Sequence, residues 1–377
     1  MIRSDYLFFL LLSILLTDCS TSIQENDLLL YRNSKGRMKP VRSPVGMEIK
    51  REQILDSMQA VMGKLPDRSN LPQFDLVKTD SSIQQSYIRY RINFVADINE
   101  RIPANLYVPG QRGIKKKLPA MLAVYYSDPN GKTGPDGRGQ DTYWAYAREL
   151  AERGYVVIAP DYPGYGDMKD YDFQNDRYES GTMKSIFDNM RCIDLLQSRS
   201  DVDPERIGAI GLSLAGHTSM FTGAFDKRLK VIVSSSGWTL LNYYPSNEKQ
   251  MVESFIKKYG NRLGPWSQDV YMPLFRDKYK FDLDKIPFDF DEVIAAIAPR
   301  AFFSVSPLKD SNFDVNGVKE GIASVSEVYS LFGEQEKLQV RYPDVGHDFP
   351  EENRKEAYLF IDKLFGHTPD TAIGSYR

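Results

Sequence analysis

The chain has 377 residues but only two cysteines and three histidines, and these scarcities narrow its possible functions. Two cysteines, Cys19 and Cys192, exclude a disulfide framework and a structural zinc site of the usual cysteine type. Acidic and basic residues are nearly balanced, 51 against 48, so nothing indicates a nucleic-acid partner. The length suits one large α/β domain or two small ones.

Long apolar runs are also missing, except for one near the N-terminus from Leu7 to Leu16. Ten residues are too few to span a bilayer but fit the apolar part of a signal peptide, which predicts a signal peptide over residues 1–19. The segment Leu16-Thr17-Asp18-Cys19 resembles a bacterial lipoprotein cleavage box, with Cys19 as the lipidated residue. Asp18 departs from the small residue expected there, which leaves simple secretion open. We expect an exported protein, periplasmic or attached to the bacterial outer membrane by an N-terminal lipid.

The rest of the chain divides into an arm, a domain and a tail. Residues 20–85 are expected to form an N-terminal arm, loosely held over 20–50, with one helix that packs on the core. After an antiparallel hairpin, residues 86–366 alternate apolar strands with amphipathic helices. This pattern predicts an α/β fold with a mostly parallel central sheet flanked by helices. Residues 367–377 are expected to be a tail.

One aromatic-rich block, at about residues 237–299, interrupts the alternation of strands and helices. It follows the end of a sheet strand, so we expect a cap over the active site that helps define a pocket. A surface insertion without that role is the alternative. Four aromatic residues are candidates for the substrate pocket: Tyr125, Tyr165, Trp238 and Trp266.

The clearest chemical signal lies between Arg206 and Phe225. A buried strand ends at Ser213 and a helical pattern begins at once, which is the arrangement of an α/β-hydrolase nucleophile elbow. The sharp turn requires small residues two before and two after the serine, where Gly211 and Ala215 stand. The turn also puts the N–H of Leu214 at a helix N-terminus, so Leu214 is a candidate oxyanion donor. A serine that only caps a helix is the alternative.

A serine nucleophile needs a base, and a carboxylate to orient that base. His347 follows the last predicted strand and precedes the last helix, where the α/β-hydrolase order places the base. His217 lies one helical turn after the serine and is expected to hydrogen-bond behind the site. His367 lies in the tail and is not expected to take part.

The carboxylate should follow the strand 301–305, where the loop offers Asp310 and Asp314. Asp310 is favoured because it comes after a short turn, whereas Asp314 has the position of a helix cap. A second oxyanion donor should come from the loop after the strand 120–126, and the backbone N–H of Tyr126 is the candidate.

Several of these segments together resemble a bacterial α/β-hydrolase group labelled dienelactone-hydrolase-like or acetylxylan-esterase-like. The resemblance covers most of residues 50–366 and is carried by Gly211-Leu212-Ser213-Leu214-Ala215-Gly216-His217-Thr218, Ala298-Pro299-Arg300, residues 307–313, Gly346-His347-Asp348-Phe349 and residues 178–184. It implies Ser213, Asp310 and His347 as the catalytic triad.

The sequence departs from that group at two places. Ala215 stands where relatives usually have glycine, and Tyr125-Tyr126 stand where they tend to have a His-Gln-type pair. True dienelactone hydrolases use a cysteine nucleophile, so Ser213 argues for ester hydrolysis.

We therefore expect a serine esterase that works through an acyl-enzyme, without metal or cofactor, on small-molecule or oligosaccharide esters of the acetylxylan type. A serine peptidase is one alternative. A non-catalytic carbohydrate-binding protein on the same fold is another.

Overall fold

The computed structural model describes residues 27–98, 100–110, 116–125, 127–137, 144–246 and 248–369. The predicted signal peptide with Cys19, the oxyanion candidate Tyr126 and the end of the tail lie outside these residues. Among the helices that are described, none has the length and apolar character needed to cross a membrane.

The described strands and helices alternate along most of the chain. The strands are β1 Leu30–Arg32, β2 Met38–Pro40, β3 Val77–Ile83, β4 Tyr87–Asp97, β5 Glu100–Pro109, β6 Leu118–Ala123, β7 Val156–Pro160, β8 Val202–Leu212, β9 Leu229–Ser235, β10 Ala301–Val305 and β11 Leu338–Arg341. The helices are α1 Pro44–Met62, α2 Tyr146–Glu152, α3 Gly181–Ser198, α4 Leu214–Phe225, α5 Lys249–Tyr259, α6 Leu274–Asp277, α7 Phe290–Ile297, α8 Val315–Phe332 and α9 Glu351–Phe365.

Strands β3 to β11 form one sheet in the order β11-β10-β9-β8-β6-β7-β5-β4-β3. The strands from β11 to β7 are parallel, whereas β5, β4 and β3 are antiparallel to their neighbours. Strands β6, β7 and β10 are buried along their whole length, as expected for a sheet covered on both faces. The α/β fold predicted from the sequence is confirmed, and the sheet continues one strand beyond the predicted hairpin, into β3.

The first described residues are packed against the domain, so the prediction of a loosely held arm is wrong for 27–50. Strands β1 and β2 pair as an antiparallel hairpin. Pro44 does not break structure but opens α1, where Ser43 caps the helix by accepting the N–H of Gly46. Three apolar side chains of this polar stretch, those of Leu28, Val41 and Met47, are buried in the core.

The block predicted as a cap contains helices α5 to α7 and no strand in its described residues, 237–246 and 248–299. Its last helix, α7, is buried and packs against α4 and α8, so it belongs to the main domain. The remaining part, 237–289, is here called the insertion. It is bonded to the domain, because the backbone carbonyl of Asp269 accepts the N–H of Gly181 and the Tyr279 hydroxyl donates to the carbonyl of Ala60.

Candidate active site

Ser213 occupies the turn between β8 and α4 in a backbone conformation that side chains rarely adopt, with φ 58° and ψ −122°. Its N–H donates to the carbonyl of Ser235 on β9 over 2.9 Å. A Cβ on Gly211 would lie 2.4–2.5 Å from atoms of Ala215. The alanine at 215 is therefore accommodated because residue 211 has no side chain.

Leu214 is the first residue of α4, so its N–H is one of the donors that a helix N-terminus leaves unpaired. The loop that follows β6, the strand next to β8 in the sheet, is held by a buried ion pair. Lys132 Nζ lies 2.5 Å from Asp161, which stands just after β7, and the same carboxylate accepts the Lys132 N–H. These bonds fix the loop that follows Tyr126.

His347 is paired with Asp310. Its Nδ1 lies 3.0 Å from both carboxylate oxygens of Asp310, whose residue is only 5% exposed. The same carboxylate accepts the N–H groups of Asn312 and Phe313, at 2.8 and 3.2 Å. Asp314 instead caps α8 by accepting the N–H of Asn316. An ionised Asp310 can only accept, so Nδ1 carries the ring proton and Nε2 keeps its lone pair.

The loops that carry these residues are bonded to each other at the carboxyl ends of neighbouring parallel strands. Ser235 and Ser236, at the end of β9, both donate to the carbonyl of Asp348, at 3.0 and 3.2 Å. The Asp310 loop is tied to the His347 loop because the N–H of Lys309 donates to the carbonyl of Val345. The sequence reasoning missed the two serines, although hydroxyls that directly follow a buried strand were a visible signal.

His217 does not hydrogen-bond behind the site, so that prediction is wrong. Its ring is fully buried, and neither nitrogen has a hydrogen-bond partner among the described residues. The turn of α4 directs it into aromatic rings, those of Phe221, Trp266 and Phe290. Burial lowers the pKa of His217 to about 3, so the ring is neutral at physiological pH. His367 contacts the carbonyl of Arg153, away from the catalytic loops.

Three of the four predicted pocket aromatics lie in the core instead. Trp238 is 1% exposed and donates its Nε1–H to the Ser304 hydroxyl. Tyr125 is fully buried, with its ring against the backbone of Gly134. Trp266 is also buried, and only Tyr165 is half-exposed. The pocket prediction is wrong for these three because aromatic content alone does not separate a core ring from a cleft ring.

Comparisons with known proteins find hydrolases and esterases. A family model described as glucuronyl esterase, fungi, matches residues 170–333. The putative hydrolase YtaP of Bacillus subtilis is 27% identical over 320 residues, which cover 80% of this chain and 96% of that protein. The 4-O-methyl-glucuronoyl methylesterase of Hypocrea jecorina is 24% identical over 226 residues, 55% of this chain and 46% of that protein.

Solved structures of esterases have the same fold. A glucuronoyl esterase from Solibacter usitatus superposes with a TM-score of 0.65 at 19% identity, over 90% of this chain and 96% of that one. A putative acetyl xylan esterase from Bacteroides fragilis gives a TM-score of 0.57 at 17% identity, over 84% of this chain and 86% of that one. The chain therefore has the α/β-hydrolase fold, and its sequence matches include a putative hydrolase and a glucuronyl esterase family.

Proposed function

We propose that the protein is a serine esterase, that Ser213, His347 and Asp310 are its catalytic triad, and that its substrates are carbohydrate esters. The observation that carries the assignment is the pairing of the buried Asp310 with His347, at the same edge of the sheet as the strained Ser213 turn. Chain order supports it too, since nucleophile, acid and base follow β8, β10 and β11.

In the proposed reaction, Ser213 Oγ attacks the ester carbonyl carbon while His347 Nε2 takes the hydroxyl proton. The N–H of Leu214 donates to the oxygen that becomes negative. The bond to the alcohol then breaks, and His347 gives its proton to the leaving oxygen. Water, activated by His347, attacks the acyl-serine and releases the acid. Asp310 holds the imidazole in the required tautomer and stabilises its charged form.

Two carbohydrate esters fit the relatives, and they differ in which side of the ester carries the sugar. In a glucuronoyl ester the sugar is the acyl group, and both the family model and the Hypocrea enzyme point to this class. In acetylated xylan the sugar is the alcohol, as the name of the Bacteroides protein suggests. We place glucuronoyl esters first, because the sequence match as well as the fold supports them.

The test compares wild type with Ser213→Ala on the methyl ester of 4-O-methylglucuronate, on acetylated xylan and on p-nitrophenyl acetate. We expect methanol release from the uronate ester to be fastest, and the alanine variant to be inactive on all three. A wild type that releases only acetate would make acetylxylan the substrate class. Equal inactivity of both proteins would favour the carbohydrate-binding alternative.

A peptidase is less well supported. A dipeptidyl-peptidase 5 of Porphyromonas gingivalis is 31% identical, but over 129 residues that cover 32% of this chain and 17% of that protein. A peptide panel in the same assay, with no expected turnover, tests this alternative.

Export and lipid attachment rest on residues 1–19 alone. We propose that Cys19 is acylated, and incorporation of radioactive palmitate into wild type but not into Cys19→Ala tests this. Labelling of neither protein, with the wild type found outside the cytoplasm, would indicate simple secretion.

A further inference from the structure

A continuous row of buried rings joins the nucleophile helix to the catalytic histidine. We call His217, Trp266 and Phe313 the aromatic bridge. The ring centroids of His217 and Trp266 lie 4.9 Å apart, and those of Trp266 and Phe313 lie 6.3 Å apart. Phe313 then stacks on His347 at 5.9 Å with an interplanar angle of 26°. All three rings of the aromatic bridge are buried, so the row lies beneath the surface.

Both ends of the aromatic bridge are bonded to the catalytic residues. His217 lies one turn along α4 from the nucleophile, and its N–H donates to the carbonyl of Ser213 over 3.0 Å. At the other end, the N–H of Phe313 donates to the carboxylate of Asp310. Phe313 therefore contacts the acid through its backbone and the base through its ring.

The middle of the bridge belongs to the insertion. Trp266 packs against Phe313 from one side, and Tyr244, also in the insertion, packs against both rings at 5.8 and 5.3 Å. Neither the Trp266 Nε1–H nor the two ring nitrogens of His217 have a hydrogen-bond partner among the described residues. These rings therefore act through packing, which prefers tilted or stacked geometries of this kind.

We propose that Trp266 is a positioning residue for the esterase reaction: it holds Phe313 against His347 and so fixes the imidazole relative to Ser213. The proposal rests on the triad given above and assigns the insertion a second role, apart from any pocket it forms. The proposal also accounts for the burial of Trp266, because a buried side chain can position Phe313 without contacting the substrate.

The test replaces Trp266 by leucine, with Phe275→Leu as the matched control. Phe275 is equally buried in the same insertion and has no ring contact with the aromatic bridge among the described residues. The chain has three histidines, so the imidazole proton signals in an NMR spectrum can be assigned by single replacements. Displacement of the Phe313 ring from its stack on His347 should move the His347 signal, since ring currents act over these distances.

We expect Trp266→Leu to move the His347 signal and to lower kcat on p-nitrophenyl acetate by about 10- to 100-fold, the range for a small misplacement of catalytic groups. KM should change by less than about twofold, because a small ester does not depend on the insertion for binding. Trp266→Phe should restore both readouts, and Phe275→Leu should change neither.

Phe313→Leu provides a second route if Trp266→Leu does not fold. It should give the same pattern, and the double variant should lose no more activity than either single one, because both remove the same contact. The proposal would be overturned if the losses of activity multiplied in the double variant, or if Trp266→Leu and Phe275→Leu had equal effects. The NMR signal needs no turnover, so a wild type inactive on esters would reject the proposed function while leaving this test valid.

Discussion

Asp310→Asn keeps the shape of the acid but removes its charge. The carboxylate already accepts two backbone N–H groups, from Asn312 and Phe313. We expect the amide oxygen to keep these bonds, so that the amide NH2 faces Nδ1 of His347. Nδ1 must then accept, the ring proton moves to Nε2, and Nε2 can no longer take the proton of Ser213.

The wrong tautomer should dominate the loss of activity. In a serine hydrolase, an Asp-to-Asn change of this kind lowers kcat by about 10⁴. This corresponds to about 5.5 kcal/mol, more than the roughly 1.5–3 kcal/mol expected from one charged hydrogen bond. KM for a small ester should change little, because Asp310 is 5% exposed and does not face the substrate.

The assay measures kcat and KM on p-nitrophenyl acetate for Asp310→Asn and for Asp314→Asn. Asp314 caps α8, and asparagine is an equally good cap, so this control should retain wild-type activity and stability. Circular dichroism checks that both variants are folded. If Asp310→Asn stays within tenfold of wild type while Asp314→Asn loses more, the acid has been assigned to the wrong residue.

Three further changes test the elbow and the buried titratable groups. Gly211→Ala forces a Cβ within 2.5 Å of the α4 backbone, so we expect an inactive protein whose unfolding free energy in urea is lower by about 1–3 kcal/mol. In the control Gly110→Ala, the new Cβ would lie 3.5 Å from its nearest atom, and the stability should stay within about 0.5 kcal/mol of wild type. Burial, together with the neighbouring carboxylates of Asp289 and Glu292, raises the pKa of Asp291 to about 8. The unfolded chain loses this proton at a lower pH than the folded chain, so wild type should become less stable between pH 5 and pH 8, and Asp291→Asn should reduce that loss in urea titrations. Burial lowers the pKa of His217 from 6.5 to about 3, so the stability that the neutral ring provides is complete above pH 6.5 and declines as the pH falls. Wild type should therefore lose about 3 kcal/mol of unfolding free energy between pH 7 and pH 4, and His217→Phe should not. The same pH dependence of urea unfolding in variant and wild type would contradict this.

The parallel half of the sheet could be predicted from the sequence because its strands are apolar runs bounded by turns. Strand β3 could not, since its residues Val77-Lys78-Thr79-Asp80-Ser81-Ser82-Ile83 are mostly exposed and show no apolar alternation. Strands β1 and β2 have three residues each, too few for any periodic signal. These strands are defined by pairing with segments close in sequence, which hydrophobic periodicity does not reveal.

The candidate site could be located because chain order and strand ends restrict where a serine, an acid and a base can meet. The surroundings of each side chain could not be read in this way. His217 and Trp266 have ring nitrogens that could bond in a polar site, yet the two rings pack together in the core. Whether a ring lies in a core or in a cleft depends on what the insertion covers, which is a property of tertiary packing.

Arg51 of helix α1 gives the N-terminal segment an electrostatic role. Its guanidinium donates to the carbonyl of Ala224 over 2.6 Å, at the carboxyl end of α4, and to the carbonyl of Ala296 over 3.1 Å, at the carboxyl end of α7. A cation at that end neutralises the negative pole of a helix whose positive pole, at Leu214, faces the proposed oxyanion. A fragment that begins at residue 86 would lose this cation from the carboxyl ends of both α4 and α7.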